Sequence, residues 1–326
     1  MSFNSALHTG ASDFDVACTR YANLFYGDTI IPGHTAPVNT EAFLFFTDPH
    51  WFGPDSPKME ECIAQIQKYY NSTPTNFVLC GGDWLWYGTT PSEAVFRLGY
   101  ISGICRSMLK PCYILFGNHD DNYQGRAIPG GDRFTTRLSI DSTNGLLYGG
   151  GKAYYKFDGN HTRFYCLDNR GENDTLDDLG GYLIDQAKWF AKSLQSETMR
   201  HIAICMHMFY SSYAAKSIHS LSDLALSIAY AYNTRGSITV GGQDYSYASA
   251  TGRIEFAICG HTHADFNIVH NGVPVICTTT AAGNKAASGS SYSSDYPTFD
   301  LVQVDYDKRK INLVRVGDGA DRSINL

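Results

Sequence analysis

The chain lacks several features that would narrow its role quickly. No stretch approaches the roughly 20 consecutive apolar residues of a membrane-spanning helix, so no span is expected. Residues 1–10 hold neither a basic nor an apolar segment, which argues against a secretory leader. Positive charge is scarce: 25 Lys and Arg stand against 32 Asp and Glu, for a net charge of −7. Nucleic-acid binding draws on a basic face that neutralises phosphates, so such a partner is disfavoured. No Pro-rich or charge-rich linker interrupts the 326 residues, a length that can bury one large core. A single domain is expected over residues 41–326, with residues 1–40 as an N-terminal arm packed on it. The nine cysteines are odd in number, and Cys80, Cys166, Cys205, Cys259 and Cys277 lie inside apolar runs. That placement suits small buried hydrophobes better than a disulfide framework. A soluble protein in a reducing, cytoplasmic setting is the expectation.

What is present is a series of apolar runs that each lead into Asp, Asn or His. Phe43-Leu44-Phe45-Phe46 leads into Asp48, and Phe77-Val78-Leu79-Cys80 into Asp83. Tyr113-Ile114-Leu115-Phe116 leads into Asn118, Ile202-Ala203-Ile204-Cys205 into His207, and Phe256-Ala257-Ile258-Cys259 into His261. Short apolar runs bounded by Gly and polar residues read as strands buried on both faces. Burial on both faces requires layers above and below, hence an α/β architecture. Ligand sites in such folds gather beyond the carboxyl ends of the strands.

The spacing sharpens this. Asp48 and His50 are two residues apart, as are His261 and His263. In extended chain such residues point to one side, so each pair can grip one ion. Imidazole, carboxylate and one amide oxygen together suit Mn, Fe or Zn better than Ca or Mg. No Cys is among the candidates, which removes a structural tetrathiolate zinc site. Alone, His207 would read as an ordinary hydrogen-bonded histidine. Four neighbouring motifs in the same pattern make it a ligand candidate.

The ordered set Asp48-x-His50, Gly82-Asp83, Gly117-Asn118-His119-Asp120, His207 and Gly260-His261-Thr262-His263 resembles the motif series of the calcineurin-like metallophosphoesterases. The resemblance spans residues 48–263 and is complete. It implies an α/β fold: a four-layer α/β/β/α sandwich of two mixed β-sheets flanked by helices. It implies two metal ions. Asp48, His50, Asp83 and His263 would hold the first; Asp83, Asn118, His207 and His261 would hold the second, with Asp83 bridging. A metal pair polarises phosphoryl oxygens and acidifies a bridging water. His119 would assist the leaving group, and Asp120 would orient His119 through a hydrogen bond.

Departures from subfamilies narrow the substrate. Purple acid phosphatases resemble this pattern but lack the first His and carry a Tyr where Trp86 stands here. Serine/threonine protein phosphatases carry Glu at the place of Asp120. The Asp form resembles phosphodiesterases and nucleases. A small phosphodiester or phosphomonoester is therefore the expected substrate. A nuclease is the alternative, and a non-catalytic binding scaffold a more distant one. Trp84, Trp86 and Tyr87 follow Asp83 and read either as core or as a platform for a base.

The rest of the chain is less telling. Helices are expected over 59–70, 91–109, 185–194 and 221–232 from their apolar spacing. Hairpins are expected around Asp158-Gly159-Asn160 and Asp307-Lys308-Arg309. Gly27-Asp28 and Pro32-Gly33 suggest turns in an irregular arm or small ribbon. Tyr123 and Arg126, in the segment after His119, are candidate substrate contacts alongside Asn118; Asn169-Arg170 has similar standing. Residues 281–295, rich in Ala, Gly and Ser, read as a surface loop or a lid. His8, His34, His161, His201, His219 and His270 lie outside any motif and are expected to be solvated or structural. The oligomeric state has no signature.

Overall fold

The apolar runs that precede the motifs form, or lead out of, parallel strands of two sheets. The computed structural model describes residues 39–50, 75–85, 110–121, 147–148, 153–169, 178–212, 217–281 and 298–326, with Ala17, Arg20, Tyr21, Leu24, Phe96, Arg97, Tyr100 and Gly103. In chain order the first strands are β1 (Thr40–Phe46), β2 (Phe77–Cys80), β3 (Cys112–Ile114), β4 (Leu147–Tyr148), β5 (Tyr155–Asp158) and β6 (Thr162–Leu167). Helix α1 (Asp178–Gln195), β7 (His201–Met206) and helix α2 (Ser220–Asn233) follow. Then come β8 (Ser237–Val240), β9 (Gln243–Ser246), β10 (Arg253–Cys259), β11 (Phe266–His270) and β12 (Val273–Cys277). The last strands are β13 (Phe299–Asp305), β14 (Lys310–Val316) and β15 (Arg322–Asn325).

The first sheet has the order β15-β14-β13-β1-β2-β3 and the second β11-β12-β10-β7-β6-β5-β4. Strands β1, β2 and β3 run parallel, as do β6, β7, β10 and β12. Their carboxyl ends therefore emerge on one edge of each sheet. Both sheets are mixed, because β13 joins β1 antiparallel and β5 joins β6 antiparallel.

Packing explains the continuous apolar runs. In β6 and β7, Phe164, Cys166, Ala203 and Cys205 join the core between the two sheets. Tyr165, Leu167, Ile202, Ile204 and Met206 alternate with them and pack beneath α1 and α2. Strands whose two faces are both covered cannot show a polar alternation. The inter-sheet core is aromatic: Phe43 stacks on Phe77 at 5.0 Å and Phe157 on Phe164 at 4.9 Å, while Phe77 meets Phe164 edge-on at 5.1 Å. This is the α/β sandwich that the motifs implied.

Several elements differ from expectation. Helix α1 begins seven residues before 185, because Gly180 and Gly181, poor helix formers, hide its first turns. Ala17, Arg20, Tyr21 and Leu24 are helical within the segment expected to be an irregular arm or small ribbon, while its turn cues at Gly27-Asp28 and Pro32-Gly33 lie outside the described residues. Tyr21 is buried, and its hydroxyl donates to the Val302 carbonyl at 2.8 Å, so these positions pack on the first sheet. Of the helix expected over 91–109, Phe96, Arg97, Tyr100 and Gly103 are described and helical. The helix expected over 59–70, the segment holding Tyr123 and Arg126, Arg170, and most of 281–295 lie outside the described residues.

Candidate metal centre

The motif residues converge where the carboxyl ends of the two sheets meet. Sheet one delivers Asp48, Asp83 and Asn118 from β1, β2 and β3; sheet two delivers His207 from β7 and His261 and His263 from β10. All six are buried, as is His50. Asp48, His50, Asp83 and His263 present ligand atoms within 4.8 Å of one another, and so do Asp83, His207 and His261. Asp83 belongs to both groups. Asn118 stands beside the second, with its Oδ1 3.0 Å from His261 Nδ1 and 3.2 Å from His207 Nε2.

The backbone is bent hard to achieve this. Asp48, His50, Asp83, His261 and His263 all have positive φ, between 44° and 70°. Residues with a Cβ enter that region at a cost. The loops are locked by hydrogen bonds from Asp48 N to Gly82 O (2.9 Å), His50 N to Asp83 O (3.0 Å) and Gly260 N to His207 O (2.9 Å). Gly260 is required for the closeness of the two sheets here. A Cβ on it would fall on Thr47 Oγ1 and Asp48 Oδ2.

Hydrogen bonding leaves selected atoms free. Asp48 Oδ2 accepts from Thr47 Oγ1 at 2.6 Å and from His261 N at 3.0 Å. Asp48 Oδ1 has no hydrogen-bond donor and faces His263 Nε2 at 3.2 Å and His50 Nε2 at 3.8 Å. Asp83 Oδ1 accepts from His119 N at 2.8 Å, while Oδ2 lies 3.1 Å from His207 Nε2 and 4.0 Å from His50 Nε2. His50 Nε2 and His263 Nε2 approach to 2.8 Å. A carboxylate oxygen without a donor amid converging imidazole nitrogens is a donor set that could hold a metal ion. The residues present fit a metal pair.

Electrostatics agree. Burial opposes ionisation of Asp48, but the imidazoles of His263 and His207 hold its carboxyl down at about 2. Burial likewise opposes Asp83, and His207 and His119 hold it well below the ordinary carboxylate range. Burial pushes His50 and His261 down to about 3, so both rings are neutral and open to coordination. Burial also disfavours charge on His207, yet Asp83 and Asp48 raise it to about 10.

His119 and Asp120 take positions that bear on their expected roles, and the expected hydrogen bond between their side chains is replaced by others. The side chain of His119 is 15% exposed, against at most 1% for His50, Asp83 and His207, and its Nε2 lies 3.9 Å from Asp83 Oδ2. It therefore stands at the mouth of the cluster. The Asp120 carboxylate makes its hydrogen bonds elsewhere than to the imidazole of His119. It accepts from the backbone N–H groups of Gly117 (2.8 Å), Asp83 (3.0 Å) and Leu85 (3.0 Å). Burial and the negative Asp83 push it up to about 7. Asp120 thus clamps the second and third motif loops together. Trp84 is fully buried and meets Phe46 edge-on at 5.4 Å, so it belongs to the core.

Other supports carried no motif. Thr280 Oγ1 donates to Asp48 O at 2.7 Å and Thr279 Oγ1 to His263 O at 2.9 Å. Asn169 Oδ1 accepts from Met208 N at 3.3 Å, and Ser222 Oγ donates to Met208 O at 2.7 Å, bracing the residue after His207. Isolated Thr, Asn and Ser in loops give no periodic or spacing signal. Asn169, just past a strand end, was the one visible candidate.

Comparison with known proteins bears on this geometry. The sequence model of the calcineurin-like phosphoesterases matches residues 42–265. A dimetal phosphatase from Danio rerio is similar in structure, with a TM-score of 0.59 and 13% identity over 89% of this chain and 99% of that one. GAP50, the anchor in the inner membrane complex of Plasmodium, has a TM-score of 0.50 and 13% identity over 88% of this chain and 89% of its own. Identities this low speak to the fold alone. A search of curated proteins finds no match.

Proposed function

This chain belongs to the calcineurin-like phosphoesterase family, and on that premise we propose that it is a dinuclear-metal hydrolase of a small phosphodiester or phosphomonoester. The observation that carries the reading is the pair of ligand groups sharing Asp83, with His119 at their mouth. In this reading Asp48, His50, Asp83 and His263 hold one ion, and Asp83, Asn118, His207 and His261 hold the other. Mn, Fe or Zn fits the mixed imidazole and carboxylate set. When bound, such a pair supplies Lewis-acid charge to the phosphoryl group and acidifies water.

The protein's own groups do the rest. Backbone clamps on Asp83 Oδ1 and Asp48 Oδ2 fix which oxygens remain free. The buried floor excludes bulk water. His119, partly exposed beside Asp83, gives its proton to the departing oxygen, a role worth about 10²–10⁴-fold. Asp120 fixes the position of His119 by tying its loop to the β2 loop. Tyr123 and Arg126, which follow closely in sequence, are proposed to contact the substrate. Among the described residues no helix is long and apolar enough to cross a membrane; a cytoplasmic location is part of the proposal.

The test is metal-reconstituted hydrolysis of a bis-aryl phosphate, a mono-aryl phosphate and a short single-stranded oligonucleotide, alongside metal analysis. Up to two ions per chain and turnover of a small ester are expected, both lost in Asp83→Ala. Efficient cleavage of the oligonucleotide with little action on either ester would favour a nuclease instead. Bound metal with no hydrolysis of any of the three would leave a binding scaffold.

A further inference from the structure

At the other end of the two sheets lies a second polar cleft. Strand β7 starts there at His201 and β10 at Arg253, and the same strands end beside His207 and His261. The six residues of β7 put about 20 Å between the two ends. The cleft has a volume of about 390 Å³, within the range of small-molecule sites. Arg200, His201, Arg253, Glu255, Tyr306 and Arg309 are among the residues that line it.

Its centre is Glu255, which is buried. The register of β10 against β7 slips between Ile254 and Phe256, so Glu255 is the extra residue of a bulge. Bulges re-aim side chains and recur near functional sites. Glu255 Oε1 lies 2.8 Å from His201 Nδ1, and Oε2 lies 2.8 Å from Arg309 and 3.3 Å from Arg253. His201 stacks flat on Tyr306 with centroids 3.6 Å apart. The side chain of His201 is 7% exposed, and its Nε2 has no hydrogen-bond partner. A buried polar atom left so is costly unless something else satisfies it.

Charge points to what that is. Three guanidinium groups face two carboxylates, Glu255 and Asp307, on a chain with a net charge of −7. Asp307 is engaged by Asn39 at 3.1 Å. One buried carboxylate does not need three cations. Arg253 and Arg309 have half-exposed side chains, and Arg200 is exposed. Arg309 also sits at φ 55° in the β13–β14 turn, a position that ordinarily takes Gly or Asn. Guanidinium forks match phosphate and carboxylate oxygens in pairs. Three arginines around one cleft rule out a metal cation as the occupant.

We propose that this cleft binds a small oxyanion, a phosphate- or carboxylate-bearing molecule, between Arg200, Arg253 and Arg309, with His201 Nε2 in hydrogen-bond contact with it. The site is independent of what the metal centre hydrolyses.

The full chain, stripped of metal, is titrated calorimetrically with inorganic phosphate, and crystals are soaked in tungstate, a heavy tetrahedral oxyanion. The expected result is a Kd below about 1 mM and tungstate located between the arginines and His201. The double variant Arg200→Ala/Arg253→Ala removes two exposed side chains and should weaken binding about tenfold or more. Its hydrolytic rate on a small ester should match the parent's. An unchanged Kd in the double variant, or tungstate found only beside His119, overturns the proposal.

Discussion

Replacing one candidate ligand by alanine and by glycine should separate the backbone cost of the metal centre from its chemistry. Five candidate ligands hold positive φ, His263 at 50° among them. His207 does not. Left-handed backbone costs a residue with a Cβ about 1–2 kcal/mol. His263→Ala and His263→Gly both remove the imidazole, so both forfeit the same side-chain interactions. They differ in that only glycine relieves the backbone, which outweighs its extra freedom in the unfolded chain. The glycine variant should therefore be the more stable by about 1 kcal/mol. At His207 the order should reverse, with glycine the less stable by about 0.5–1 kcal/mol. Urea unfolding of the four variants in the presence of a chelator measures this, with midpoints compared at a common slope. Glycine below alanine at both positions would refute the strain argument.

Other consequences are as direct. His119→Ala should keep its metals and lose about 10²–10⁴-fold on esters with poor leaving groups, but less on an activated aryl ester; equal losses on both would remove the acid role. Burial opposes ionisation of Asp300, but Arg315 at 2.8 Å and Arg322 at 2.7 Å hold its carboxyl below the ordinary range. The stability this confers is full above the ordinary carboxylate value of about 3.9 and is lost as pH falls through the lower folded value. Asp300→Asn should cost about 3 kcal/mol or more at neutral pH and flatten the loss of stability below pH ~4; an unchanged acid limb would contradict it. Cys166, Cys205, Cys259 and Cys277 are buried thiols, so a thiol reagent should label them only after denaturant is added, and their rapid labelling in the native protein would count against the fold.

Sequence reading reached the site because its chemistry is local. Each candidate ligand lies within a few residues of the end of a strand, so the motif and the apolar run appear together. The hairpins at Asp158–Asn160 and Asp307–Arg309 were legible for the same reason, as β5–β6 and β13–β14. The β11–β12 hairpin also carries a signal, Asn271-Gly272 with φ of 49° and 73°, the two-residue turn such pairs favour, although the expected hairpins did not include it. What no local pattern reports is partnership across the chain. Arg315 reads as one polar residue in a strand. In the fold it is buried between Asp300 and Asp265, and Asp265 in turn accepts from Thr279 N at 3.1 Å. Glu255, the carboxylate that Arg253 and Arg309 share, was equally invisible, because a bulge rather than an alternation aims it.

The position of β1 has a consequence for how the protein comes into being. It lies between β2 and β13, so one edge is covered by chain made more than 250 residues later. Until residues 299–305 leave the ribosome, the Thr40–Phe46 strand that leads to Asp48 has an open edge, the kind of surface that pairs with other chains. Pairing over such sequence distances also slows folding. Synthesis therefore leaves that edge without β13 for most of its duration. Any ion that Asp48 and His263 come to share would have to wait until translation has passed both residues.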